Sequence, residues 1–114
     1  MNDARAGAGP TLSWESSGTA RTPVVALRGE IDLSTSPLLR ATLTSLIDAG
    51  AHDVTVDLSE VSFVDSTGLG VLVGALQLLQ ARGGDALFIR GVGPAVRRVF
   101  ELTGLDAVFS VASD

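Results

Sequence analysis

Three oxygen-bearing side chains stand in succession at Asp65-Ser66-Thr67, and glycines follow at Gly68 and Gly70. At a helix start such oxygens accept the backbone N–H groups that the first turn leaves unpaired. The glycines are harder to account for, because each costs a helix roughly 1 kcal/mol relative to Ala. Bare backbone there gives another molecule access to the hydroxyls of Ser66 and Thr67. The chemistry this suggests is covalent modification of a displayed hydroxyl. A second polar stretch, Gly29-Glu30-Ile31-Asp32-Leu33-Ser34, ends a neighbouring apolar segment, so Asp32 and Ser66 are expected to share one surface.

Other chemistries fit less well. A serine nucleophile needs a base within hydrogen-bond reach. The single histidine, His52, begins the apolar segment that Ser66 follows, and six extended residues between them span roughly 20 Å. The chain has no Lys to replace it, and Val64-Asp65-Ser66-Thr67-Gly68 lacks the glycine two places before the serine that a nucleophile elbow requires. No catalytic residue is assigned, and the chain is read as a non-enzyme. Asp57, Glu60 and Asp65 lie close in sequence, but without His or Cys they amount to a weak hard-cation site at most, and no metal or cofactor is expected. Gly68, Gly70 and Gly74 have a GxGxxxG spacing, which is neither the dinucleotide fingerprint nor a P-loop.

The elements that must hold these residues alternate. Leu12–Ser16 reads as a short edge strand, Pro23–Arg28 as a strand ended by Gly29, Asp53–Leu58 as a second central strand, Ala86–Ile89 as a third and Val108–Val111 as a last short one. Between them lie a helix capped by Ser36 with Pro37 in its first turn, a helix from Asp65 to near Arg82, and a helix opened by Gly93-Pro94 and closed by Gly104. A short turn is expected between Leu58 and Asp65. Strands separated by helices need crossovers, hence a largely parallel α/β sheet of four or five strands. On the helix after Asp65, Leu69, Leu72, Val73, Leu76 and Leu79 form the face expected to cover the sheet. Gly70, Val71, Gly74 and Leu78 fall on the other side, either as a docking strip or as a surface covered by the helix from Pro37 to Ala49.

The chain has 114 residues, 46% of them hydrophobic and 18% charged, as expected of one folded domain. Residues 1–10 read as a flexible N-terminal tail that is not a signal peptide, and residues 11–114 as the domain. The formal net charge of −5 and the lack of basic runs argue against nucleic acid. The apolar run Leu69–Leu79 is too short to span a bilayer, so no membrane role is expected. Absence of cysteine is compatible with a cytoplasmic location. A monomer is expected.

Gly29-Glu30-Ile31-Asp32, Val56-Asp57-Leu58-Ser59 through Phe63, and Asp65-Ser66-Thr67-Gly68-Leu69-Gly70 together resemble the STAS domain of anti-sigma factor antagonists. Gly93 to Phe100 followed by Leu102-Thr103-Gly104-Leu105 resembles that family's closing segment, and all segments stand in family order. The resemblance implies the STAS fold, with helices mainly on one face of the sheet. It further implies a switch. In the family an unphosphorylated antagonist binds an anti-sigma factor and frees the sigma factor; the anti-sigma factor, a serine kinase, phosphorylates the antagonist and releases it, and a serine phosphatase reverses the step. Carried over, Ser66 is the acceptor, with Thr67 as alternative because Thr stands where many relatives have Ser. Asp65 orients the acceptor, and Glu30, Asp32, Asp65, Ser66, Thr67, Gly68, Leu69, Gly70, Val71 and Gly74 form the partner-facing set. The alternative is a STAS accessory subunit of a transport or lipid-trafficking ATPase, docking without phosphorylation.

Overall fold

The computed structural model describes residues 5–8 and 11–111. Within them lie β1 (Arg5–Ala8), β2 (Leu12–Gly18), β3 (Pro23–Ile31), α1 (Ser36–Asp48), β4 (Val54–Val64), α2 (Ser66–Ala81), β5 (Leu87–Arg90), α3 (Pro94–Thr103), a 3-10 turn (Leu105–Ala107) and β6 (Ser110–Val111). The strands form one sheet in sequential order from β1 to β6, antiparallel from β1 to β3 and parallel from β3 to β6.

That order decides where the helices go. Parallel crossovers are right-handed in nearly all proteins, because a right-twisted strand feeding a right-handed helix packs back onto the sheet that way. Three crossovers advancing in one direction therefore lay α1, α2 and α3 on the same face. The core lies beneath them: Val25, Leu27 and Ile31 from β3, Val54, Val56 and Leu58 from β4, Leu39 and Leu43 from α1, Leu72 and Leu79 from α2, and Phe100 from α3 are all buried. Phe100 and Phe109 meet edge to face with centroids 6.0 Å apart, closing the core under α3. The opposite face of the sheet carries no helix, and Phe88 stands half-exposed on it.

Several boundaries differ from the sequence reading. Arg5–Ala8, expected as part of a flexible tail, pairs antiparallel with Ser13–Ser16, so β2 is not an edge and the sheet has six strands, not four or five. Alternation cannot be read from Ala6-Gly7-Ala8, which carries no large apolar side chain. Residues 1–4, 9, 10 and 112–114 lie outside the described residues.

The larger difference is β4, which runs to Val64 without the expected turn. Ala26 pairs with Asp57 but Arg28 with Glu60, and Gly29 pairs with Val61 but Glu30 with Phe63, so β4 carries one extra residue at each of two bulges. Its buried positions, spaced by two as far as Leu58, are then spaced by three at Val61 and Val64. A period-2 search stops at Leu58 for that reason. α1 begins after Thr35 rather than with Ser36 as its cap; Ser36 is its first residue and is buried, and Pro37 lies in the first turn as expected. α3 ends at Gly104, whose φ of 75° is the left-handed cap anticipated for it.

Candidate functional site

At the carboxyl ends of β3 and β4 the chain leaves the sheet twice, side by side. Ile31 pairs with Val64, and the Asp65 N–H donates to the Ile31 carbonyl at 3.1 Å. Asp32 and Asp65 consequently line one open hollow with Leu33 and Ser34. The hollow brings Asp32 together with Asp65, the residue immediately before Ser66.

Each loop is built around an aspartate. Asp65 caps α2: its Oδ1 accepts the N–H of Thr67 at 2.9 Å and of Gly68 at 3.2 Å, together with the Thr67 hydroxyl at 2.5 Å. The Thr67 hydroxyl does most to hold the Asp65 carboxyl below its ordinary value; burial opposes it, the two N–H donors reinforce it, and the neighbouring Asp32 charge works against it. Asp32 shapes the other loop. Its Oδ1 accepts the Ser34 hydroxyl at 2.7 Å, the Ser34 N–H at 2.9 Å and the Thr35 N–H at 3.2 Å. The Ser34 hydroxyl is the chief cause of a lowered Asp32 pKa, with burial opposing and the backbone donors assisting. Fully buried Thr35 completes this loop: its Oγ1 accepts the Asp32 N–H at 2.9 Å and donates to the Glu30 carbonyl at 2.8 Å. That engagement explains why Thr35 precedes α1 without capping it through its side chain.

Ser66, the first residue of α2, is exposed, and its hydroxyl makes no hydrogen bond to any of the described residues. Thr67 is half-buried with its hydroxyl bound to Asp65. The two neighbouring hydroxyls are therefore unequal in a way the sequence did not reveal. Glu30 is exposed on β3 opposite Phe63.

Three residues of the expected partner-facing set are buried. Gly68 is buried, and a Cβ there would fall on Ile31 Cγ2 and Val64 Cγ1; it is a glycine because α2 packs directly onto the sheet, not to admit a visitor. Leu69 and Val71 are also buried, at 4% and 3% exposure, so their side chains belong to the interior. Val71 lies in a groove of about 230 Å³ shared with Arg40 and Thr44 of α1, together with Gly70, Gly74, Ala75 and Leu78. α1 thus covers part of the strip left open in the sequence reading. Val73 and Leu76, expected to cover the sheet, are only half-buried, which rotates the helix toward α1. Gly70 and Gly74 do face open space, where a Cβ would meet nothing.

The residues weighed for other chemistry are engaged elsewhere. His52 lies beside the amino end of β4 and contacts Asp53 through Nδ1 at 3.2 Å, an eleven-residue strand away from Ser66. Asp57 binds Arg90 at 3.2 Å, and Glu60 binds Arg28 at 2.9 Å. Among the described residues no group of three or more His, Cys, Asp or Glu could hold a metal ion. No helix among them is long and apolar enough to cross a membrane.

Residues 13–114 match the model of the STAS domain. The chain belongs to the STAS domain family. An anti-sigma-B factor antagonist of Staphylococcus epidermidis is 41% identical over 87 residues, covering 76% of this chain and 80% of the relative. A Staphylococcus aureus protein of the same name matches equally well over the same shares. Among solved structures, an anti-sigma factor antagonist from Mycobacterium paratuberculosis superposes with a TM-score of 0.78 at 31% identity, covering 91% of this chain and 87% of that one. The antagonist SpoIIAA in its unphosphorylated form gives 0.75 at 28% identity, covering 89% of each chain. The Bacillus SpoIIAA in the phosphorylated form gives 0.67 at 26% identity, with 89% of this chain and 92% of that one covered. The STAS fold therefore accounts for the single mixed α/β sheet with its three helices.

Proposed function

We infer that this STAS domain is an anti-sigma factor antagonist governed by phosphorylation of Ser66. In the unphosphorylated form it binds an anti-sigma factor that is also a serine kinase, and so releases the sigma factor; a serine phosphatase restores the binding form. The observation that carries this reading is the inequality of the two hydroxyls. Ser66 is exposed and unengaged at the first position of α2, whereas Thr67 is committed to the Asp65 cap. The names of the relatives support the antagonist role, and the phosphorylated form of SpoIIAA supports a phosphate on this fold. The protein works as a cytoplasmic monomer that docks and undocks without catalysing a reaction.

Physically, phosphate adds about −1.5 to −2 charges at pH 7. At the first residue of α2 it gains from the helix dipole. The gain is smaller than a bare helix start would provide, because Asp65 already takes the N–H groups of Thr67 and Gly68. Asp32 and Asp65 both stand beside it as carboxylates. The modified domain stays folded, but a strongly hydrated, crowded anion now occupies the contact surface, and desolvating it opposes docking.

The test is a pull-down from cell lysate with wild type, Ser66→Ala and Ser66→Asp, followed by incubation of the recovered ATPase with ATP and mass spectrometry. Recovery of a kinase-like anti-sigma factor by wild type and Ser66→Ala but not by Ser66→Asp, with phosphate on Ser66, is the expected result. Docking with no phosphate on Ser66 or Thr67 would instead favour the accessory-subunit reading.

A further inference from the structure

We propose that Leu33 is the apolar anchor of the docking surface, seating in an apolar socket of the anti-sigma factor immediately beside the phosphorylated hydroxyl. This rests on the antagonist reading and adds to it the residue that supplies binding energy. Leu33 is 74% exposed; a lone exposed leucine is ordinary, so the argument rests on where it stands. Its location excludes a stray surface residue. Ile31 pairs with Val64 and accepts the Asp65 N–H, so the Asp32–Ser34 loop and the start of α2 emerge together, and Leu33 lines the same hollow as Asp65. Asp65, which lines that hollow with Leu33, is followed directly by Ser66 at the start of α2. The other exposed large apolar side chains, Leu102, Phe88, Phe63 and Val108, do not line this hollow.

The loop also holds Leu33 in a fixed place. The residues on both sides are tied down: Asp32 Oδ1 takes three donors from Ser34 and Thr35 within 3.2 Å, and the buried Thr35 hydroxyl bridges the Asp32 N–H to the Glu30 carbonyl. An anchor ordered in advance loses little conformational entropy on docking. The partner's chemistry follows from the rim. Among the described residues, Oδ2 of Asp32 and Oδ2 of Asp65 accept no hydrogen bond, so a socket with N–H donors around an apolar floor is the partner chemistry that fits this rim. Closing such a socket over Ser66 desolvates it. A bare hydroxyl tolerates this and a phosphate does not, which couples modification to release.

The experiment measures binding and Ser66 phosphorylation by the purified anti-sigma factor kinase of the source cell, with ATP, for wild type, Leu33→Ser and Leu33→Met. Leu33→Ser is expected to raise Kd and KM roughly 10- to 100-fold with kcat little changed, as burial of one Leu side chain implies. Leu33→Met should stay within about threefold of wild type. Unchanged circular dichroism and Tm separate this from misfolding, as the exposure of the residue predicts. Equal KM for wild type and Leu33→Ser, or a fall in kcat alone, overturns the anchor while leaving the antagonist reading intact. If wild type is itself neither bound nor phosphorylated, the antagonist reading fails and the anchor with it.

Discussion

The Asp65 carboxylate holds the Thr67 hydroxyl at 2.5 Å, and the Ser66 hydroxyl between them in sequence is left unengaged. A helix turns by about 100° per residue, so neighbouring side chains at its start face different ways. One oxygen can then serve the cap while the next is offered outward. On the proposed reading, acceptor choice is a consequence of capping geometry.

Phosphate transfer should follow that division. Ser66→Ala is expected to abolish incorporation by the cognate kinase, and Thr67→Ala to retain most of it. Mass spectrometry of tryptic peptides distinguishes the two, and phosphate found on Thr67 of the wild type would contradict the assignment.

Removing the cap should cost stability. Asp65→Ala deprives the N–H groups of Thr67 and Gly68 of their acceptor. The loss is expected to be about 1 kcal/mol, within the range of roughly 0.5–2 for such caps, read from the urea midpoint at constant m.

The three glycines of α2 should separate. Gly68→Ala forces a methyl onto Ile31 and Val64, so α2 must lift from the sheet, at a cost of about 1–3 kcal/mol. Gly70→Ala and Gly74→Ala meet nothing and should stabilise by up to about 1 kcal/mol each through helix propensity. Equal destabilisation at all three sites in thermal unfolding would contradict this packing.

Acid should expose the two loop aspartates. Asp32 and Asp65 both have folded pKa values below 3.8. Their contribution is present above the unfolded value and is lost as pH falls through the folded one, since the unfolded chain then binds more protons. Urea midpoints should vary little down to about pH 5 and fall below about pH 4. Asp65→Asn should flatten the fall; an unaltered acid limb in that variant would show that the cap does not titrate as described.

Much of this molecule was legible before folding was considered. The helix from Asp65, the Ser36-Pro37 entry and the Gly104 cap follow from local backbone chemistry, which operates within a few residues. The Asp65-Ser66-Thr67-Gly68 motif was also visible, because its residue types are distinctive side by side. Where the signal depended on spacing, it failed in specific places. Ser59–Phe63 looked like a turn because two bulges broke the period of β4, and Arg5–Ala8 looked like a tail because Ala and Gly give no alternation to read. Gly68 looked like an opening because nothing in the sequence places Ile31 and Val64 under it.

The sequence by itself determined the alternation of strands and helices, the acidic character of the domain and the presence of two adjacent hydroxyls at a helix start. Only the tertiary structure decided which hydroxyl is offered, which glycine is packed and which of Gly70, Val71 and Gly74 is covered by α1. Those outcomes depend on contacts between segments some thirty residues apart, such as Ile31 with Val64, Asp65 and Gly68. Local propensity carries no information about such distances, whereas the parallel register of β3 and β4 sets them directly.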